Sequence, residues 1–263
     1  MIETVTTDRF SMQFFRFGRG AGTFVILPGL SVQSVMGSEE AVKAAYESFT
    51  EDYTVYLFDR RADLPPVYTV RDMARDTAEA MQALGLRDIC LFGASQGGMI
   101  AQVIAIEYPE LVRRMVLGST SPRVTPETGS AAAAWIRLAE AKDAVGLYLE
   151  FGRRLYPPEV FEQFRGALID AGKSVTDAEL ERFRILAGGL EGFSVVDELR
   201  KIQCPVLILG DFEDAVLDSD GSMQIAEKLD VPPRHLYMYT GYGHAAYDTA
   251  PDYKQRIARF FAE

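Results

Sequence analysis

The chain has 263 residues, of which 48% are hydrophobic and 25% charged, and its net charge is −11. That length buries a core without disulfides or a structural metal. An acidic surface repels phosphate backbones and anionic headgroups, which argues against nucleic-acid binding and against docking on an anionic membrane. The two cysteines, Cys90 and Cys204, lie in or beside apolar runs. They are expected to be buried free thiols, because a secreted disulfide framework is denser in Cys. The N-terminus lacks a basic segment followed by an apolar one. No apolar run reaches the ~18 residues needed to span a bilayer. A cytoplasmic location is expected.

In chain order, Glu3–Thr7 and Met12–Phe17 read as two short strands. Phe24–Leu27 is a buried strand closed by the turn pair Pro28-Gly29. Gly18, Gly20 and Gly22 precede that strand instead of following it, so they make no dinucleotide fingerprint. Glu39–Phe49 reads as helix and Thr54–Phe58 as strand. Thr69–Leu84 is the clearest helix, with Val70, Met73, Ala74, Thr77, Ala78, Met81 and Leu84 on one face of a 3.6-residue repeat. Thr69 and Asp72 form a capping-box start, and Gly85 supplies the stop. Ile89–Phe92 is a second buried strand, Gln96–Glu107 a helix and Met115–Leu117 a strand. Strands alternating with helices predict βαβ units and a parallel sheet.

The alternation stops between Ser121 and Arg200, where only helical pieces are found: Ala131–Ala141, Ala144–Leu155, Glu159–Ala171 and Asp177–Ala187. The stretch is too long for a loop and reads as a helical insertion. The expected organisation is an α/β core from residues 1–120 and 201–263, with a helical lid over 121–200. The core resumes with strand Val206–Leu209, helix Ser222–Leu229, strand Leu236–Tyr239 and helix Asp252–Phe261. Thr249 and Asp252 are expected to cap that last helix, with Pro251 in its first turn.

The segment Gly93-Ala94-Ser95-Gln96-Gly97 fits the G-x-S-x-G nucleophile elbow. The glycines have a steric purpose: a strand must turn sharply into a helix while holding Ser95 in a strained conformation. The short pattern gains its meaning from the buried strand before it and the apolar helix after it. A phosphate-binding loop would need Lys and then Ser or Thr after Gly98, where Met99 and Ile100 stand.

A serine needs a base beside it. Of the two histidines, His235 opens a strand, whereas His244 lies in Gly241-Tyr242-Gly243-His244 on a loop just past a strand end. Catalytic groups of open α/β sheets gather at such ends, so His244 is the candidate. The base needs an acid to orient it. Asp211, Glu213, Asp214 and Asp218 follow strand Val206–Leu209. Asp214 is preferred because Ala215-Val216-Leu217 would bury its carboxylate, with Glu213 as the alternative. An oxyanion hole would take one N–H from Gln96 and one from the loop Pro28-Gly29-Leu30-Ser31, with Leu30 the chosen donor and Gly29 giving room.

With Leu27-Pro28-Gly29, Gly93-Ala94-Ser95-Gln96-Gly97-Gly98, Pro205-Val206-Leu207-Ile208-Leu209-Gly210 with Asp214, Gly243-His244 and Tyr108-Pro109-Glu110-Leu111-Val112, the chain resembles the α/β-hydrolase superfamily over nearly its whole length. The resemblance is to its serine esterases and lipases with a helical lid between two late strands. It implies an α/β-hydrolase fold: a mostly parallel central sheet flanked by helices, with a helical lid insertion. Two departures stand out. Many relatives have His-Gly where this chain has Pro28-Gly29, and many have glycines after the next strand, where this chain has Asp59-Arg60-Arg61-Ala62-Asp63. Relatives that are dehalogenases or epoxide hydrolases carry Asp at the elbow, unlike Ser95.

The expected chemistry is acyl transfer: Ser95 attacks an ester or lactone carbonyl, His244 moves the proton, and water hydrolyses the acyl-enzyme. The same groups would also serve carbon–carbon bond hydrolysis, acyl transfer to another alcohol or perhydrolysis, and a hydrolase-fold ligand receptor is a further alternative. Gly29, Met99 and Trp135 are candidates for the substrate pocket, and apolar lid residues favour a small or medium hydrophobic acyl group. The other lid aromatics, Tyr148, Phe151, Tyr156, Phe161, Phe164 and Phe193, are read chiefly as packing. The partner expected is a small-molecule substrate, with no cofactor and no metal.

Overall fold

The computed structural model describes residues Met1–Glu263. β1 (Ile2–Thr6) and β2 (Ser11–Phe17) form a hairpin, followed by β3 (Gly22–Leu27), α1 (Glu39–Ala45) and β4 (Tyr53–Arg61). Next come α2 (Val70–Ala83), β5 (Ile89–Ala94), α3 (Gln96–Glu107) and β6 (Val112–Gly118). Four helices follow: α4 (Gly129–Glu140), α5 (Ala144–Leu155), α6 (Pro158–Lys173) and α7 (Asp177–Gly188). The chain ends with β7 (Val206–Asp211), α8 (Asp220–Leu229), β8 (Leu236–Tyr239), α9 (Ala246–Thr249) and α10 (Tyr253–Ala262).

The eight strands lie in the order β1-β2-β4-β3-β5-β6-β7-β8. β1, β2 and β4 pair antiparallel, and every pairing from β4 to β8 is parallel. The parallel strands are apolar on both sides because helices cover both faces. Alternation within each strand still divides the core. Val25 and Leu27 of β3 and Leu91 of β5 join α2, α3 and α8 on one face. Phe24, Ile26, Cys90 and Phe92 point to the other face, against Tyr46, Phe49 and α10.

The helices between β6 and β7 rise from a narrow stem. The Val124 N–H donates to Phe193 O at 2.9 Å and the Val195 N–H to Pro122 O at 2.8 Å, which makes an antiparallel bridge of Arg123 and Ser194. α4 packs mainly on α7 and α5 on α6. No helix is long and apolar enough to cross a membrane.

Local structure departs from the sequence expectations at several points. β4 runs on through Asp59, Arg60 and Arg61 because Met12 of β2 pairs with Arg61, so a segment read as loop is strand. The expected helix Glu39–Phe49 ends at Ala45 and closes with a 3-10 turn, Glu47–Phe49. Thr249 and Asp252 do not cap α10. Thr249 lies in α9 and gives its hydroxyl to Ala245 O. The Asp252 carboxylate accepts the Tyr239 hydroxyl at 2.9 Å and pairs with Arg256 at 2.7 Å. An arginine and a phenol compete better for that carboxylate than backbone N–H groups do. Both cysteines are free, but Cys204 is half-buried in the turn before β7. Burial pushes the Cys90 thiol up and the Cys204 thiol up to about 11, so both stay protonated and weakly nucleophilic at neutral pH.

α2 begins as its sequence demands: Thr69 Oγ1 accepts from the Asp72 N–H at 3.2 Å and the Asp72 carboxylate accepts from the Thr69 N–H at 3.1 Å. Thr69→Ala removes half of this box and is expected to cost about 1 kcal/mol. That corresponds to a loss of ~2–4 °C in Tm. Thermal unfolding followed by circular dichroism measures it, and an unchanged Tm contradicts the assignment.

Candidate active site

Ser95 sits at the C-terminal end of β5, between the strand and the first residue of α3, with φ 52° and ψ −122°. A positive φ at a residue with a side chain costs about 1–3 kcal/mol unless neighbours impose it. Here they do. The Ser95 N–H donates to Gly118 O of β6 at 2.9 Å, and Ser95 O accepts the Thr120 hydroxyl at 2.7 Å and the Gly98 N–H at 2.9 Å. The flanking glycines leave no room for alternatives. A Cβ on Gly97 would stand 2.0 Å from Leu27 O, and one on Gly93 would stand 2.4 Å from Gly97 O. Gly29 approaches the serine directly, since a Cβ built there lies 3.2 Å from Ser95 Cβ and 3.8 Å from Oγ.

His244 follows β8 on a loop that turns through Gly241 (φ 84°) and Gly243 (φ 67°). The loop is tied to the helices, with the Ala245 N–H on Leu155 O of α5 at 3.0 Å. The buried imidazole places Nδ1 at 2.8 Å from Asp214 Oδ2. The other oxygen, Asp214 Oδ1, accepts the N–H groups of Val216 at 2.8 Å and Leu217 at 3.0 Å. A carboxylate accepts, so Nδ1 is the donor of this bond, and a neutral imidazole held this way keeps its lone pair on Nε2.

The four acids after β7 thus separate by contact. Glu213 accepts from the Gly241 N–H. Asp211 accepts from the Glu213 N–H at 2.8 Å and the Tyr242 N–H at 3.1 Å. Both therefore brace the histidine loop through its backbone. Burial pushes the Asp211 carboxyl up, against the pull of those two N–H groups. Asp218 accepts from the Asp220 N–H at 2.8 Å. Asp214 is the acid on the imidazole. His235 lies elsewhere, with Nε2 2.9 Å from the Glu263 carboxylate and its ring edge-on to Phe260.

Ser95 and His244 line one narrow cavity with a free volume of about 30 Å³. Gly29, Leu30, Gln96, Met99 and Trp135 also line it. Neither the Leu30 nor the Gln96 N–H is taken up in a backbone hydrogen bond. Trp135 packs on Phe151, ring centroids 4.5 Å apart, and both face the cavity from α4 and α5. Tyr148, Tyr156, Phe161, Phe164 and Phe193 are not in its wall. No group of three or more His, Cys, Asp and Glu side chains is placed to hold a metal ion.

Sequence reading missed several neighbours. Tyr247, Leu155 and Leu217 also line the cavity, although nothing in their local pattern marks them. Arg60 and Asp59 form a buried polar pair beside the loop that carries Leu30. Arg60 donates to Pro28 O at 2.8 Å and Gln96 Oε1 at 3.3 Å. Burial pushes the Arg60 guanidinium down to about 10 while Asp59 pulls it up, so it stays cationic at neutral pH. Two charged residues in a row at a strand end were the available signal.

The arrangement is a serine held at a strained turn, a histidine with a free nitrogen, a carboxylate behind it and an apolar cavity with two unspent N–H groups. Comparison with known proteins agrees with the fold. A family model described as "Alpha/beta hydrolase family" matches residues 24–253. The "Putative carbamate hydrolase RutD" of Pseudomonas savastanoi pv. phaseolicola is 26% identical over 216 residues, which cover 78% of this chain and 81% of that protein. MGS-M2, an alpha/beta hydrolase enzyme from a Medee basin deep-sea metagenome library, has a TM-score of 0.87 at 20% identity, covering 99% of this chain and 98% of its own. The enol-lactonase from Burkholderia xenovorans LB400 has a TM-score of 0.82 at 14% identity, covering 99% and 100%. With a match that runs from β3 to the start of α10, this chain belongs to the alpha/beta hydrolase family.

Proposed function

We propose that the protein is a serine hydrolase that cleaves small or medium ester-like bonds, carboxylic esters or lactones, through an acyl-enzyme on Ser95. The observation that carries this reading is the 2.8 Å contact of His244 Nδ1 with the buried Asp214, together with a cavity lined by both His244 and Ser95. Asp214 fixes the imidazole tautomer, so Nε2 acts as base. His244 takes the Ser95 proton as Oγ attacks the carbonyl carbon, and the Leu30 and Gln96 N–H groups receive the charge on the carbonyl oxygen. His244 then returns the proton to the leaving oxygen as the acyl–oxygen bond breaks. Water, deprotonated by the same nitrogen, releases the acid and restores Ser95.

The helices of residues 121–200 act as a lid in this reading. Trp135, Phe151 and Leu155 put an apolar roof over the serine, which suits a hydrophobic acyl group. A second reading comes from the RutD relatives: a carbamate also presents a carbonyl with a heteroatom leaving group, and the same groups would attack it.

Ser95→Ala is expected to abolish hydrolysis of p-nitrophenyl butyrate and labelling by a fluorophosphonate, with the wild-type label mapped to Ser95 by mass spectrometry. Turnover that survives the substitution refutes the assignment. The acids are separated by a pair of variants. Asp214→Asn is expected to lower kcat on the order of 10³–10⁴-fold, because the amide donates to Nδ1 and reverses the tautomer. Glu213→Gln, which keeps an acceptor for Gly241, is expected to stay within about tenfold of wild type. Steady-state kinetics on the two variants reads the difference, and equal losses reject Asp214 as the acid.

A further inference from the structure

One face of α7 carries two direct polar links to the two segments that supply the proposed oxyanion donors, and a third that reaches one of them through Asp59 of β4. Glu179, Arg182 and Leu186 follow one another at i, i+3 and i+7, the spacing of a single helix face. Glu179 accepts from Gln33 Nε2 at 3.1 Å. Arg182 donates to Asp59 Oδ1 at 2.8 Å, and Asp59 Oδ2 accepts the Ser34 hydroxyl at 2.6 Å. Leu186 O, one of the carbonyls left free at a helix end, accepts Gln96 Nε2 at 2.8 Å. Arg60, next to Asp59, completes a ring by donating to Gln96 Oε1 and to Pro28 O.

The loop that bears Leu30 is therefore gripped at Pro28, Gln33 and Ser34, and Gln96 has both ends of its side chain engaged. Gln96 is 1% exposed, Arg60 4% and Asp59 6%, so the bonds of the Gln96 side chain are shielded from competing water, while Arg182 and Glu179 make their contacts from half-buried positions.

We propose that α7 is a splint for the oxyanion hole, and that Arg182, Arg60 and the Gln96 side chain are positioning residues that hold the Leu30 and Gln96 N–H groups at a fixed separation. This rests on the serine-hydrolase reading above and adds that a helix of the insertion sets the catalytic geometry as well as roofing the cavity. The reason is geometric. Oxyanion stabilisation depends on donors fixed before the charge develops, and a displacement on the order of 1 Å costs about 10²-fold in rate.

The test uses Gln96→Met, Arg182→Met and Arg182→Lys in the full-length protein. Gln96→Met keeps the backbone N–H and the side-chain length but loses both side-chain bonds. The substrate is p-nitrophenyl butyrate, and an alkyl trifluoromethyl ketone, whose adduct with Ser95 carries an oxyanion, is the second probe. In Gln96→Met and Arg182→Met, kcat is expected to fall on the order of tenfold or more with KM within about twofold. Affinity for the ketone is expected to fall in parallel, with partial recovery in Arg182→Lys. Thr69→Ala, which removes the capping box of α2 away from these contacts, is expected to lower Tm and leave kcat and ketone affinity unchanged. If Arg182→Met fails to fold, Gln96→Met still decides. Unchanged kcat in Gln96→Met, or a loss of kcat without loss of ketone affinity, overturns the splint. Wild-type protein that takes no fluorophosphonate label on Ser95 overturns the serine-hydrolase reading and the splint with it, whereas a labelled Ser95 with an indifferent Gln96→Met overturns the splint alone.

Discussion

The backbone of Ser95 is the constraint on which the other parts lean. A side chain at the end of a buried parallel strand reaches the mouth of the sheet only if the chain reverses within one residue. The cost is a positive φ, about 1–3 kcal/mol. Three main-chain hydrogen bonds, with Gly118 O and the Gly98 and Met99 N–H groups, and the Thr120 hydroxyl hold the turn, each worth about 1 kcal/mol net. The near-contact of the Gly97 position with Leu27 O shows how tightly α3 is pressed against β3. The same closeness brings the loop after β3 beside the serine. Turn, helix and loop thus form one mechanical unit.

The acids after β7 show how a negatively charged chain can place one carboxylate on an imidazole without the others interfering. Each neighbouring acid is bound to backbone N–H groups: Asp211 to Glu213 and Tyr242, Glu213 to Gly241, Asp218 to Asp220. Backbone donors carry no net charge, so they hold these carboxylates without drawing the histidine away. They also fold the β8 loop that delivers His244. Asp214 differs because its second oxygen is on the His244 imidazole.

What could be read in the sequence was what acts locally. The α2 capping box spans four residues, the elbow five, and the apolar runs of β3 and β5 four each, so neighbouring letters carry them. Preference for Asp214 over Glu213 came from the apolar residues after it, and the structure gives a physical account: Val216 and Leu217 offer their N–H groups to its carboxylate. The failures were competitions between distant groups. Asp252 looks like a cap until Tyr239 and Arg256 are brought to it. Asp59 and Arg60 look like a surface loop until Met12 pairs with Arg61. The cavity wall gathers residues from Gly29 to Tyr247, and no window of sequence holds them together.

The buried cluster around Asp59 bears on why such charges are kept at all. Arg60 and Arg182 face a single buried carboxylate, and desolvation alone would favour apolar replacements. Neutral partners offset part of that cost: Pro28 O and Gln96 Oε1 receive Arg60, and the Ser34 hydroxyl and the Arg60 N–H join Arg182 on Asp59, while Arg60 Nε and Arg182 Nη1 stay without a partner. An apolar core of equal volume would fill this space, but it would leave the Pro28 carbonyl and the Gln96 amide free to rotate. Direction is what hydrogen bonds supply and hydrophobic contact does not. Under the proposed chemistry, the groups held in direction here are those beside the two N–H donors. A positive charge held behind donors that must receive a developing negative charge works in the same sense, and a guanidinium as buried as that of Arg60 is screened little.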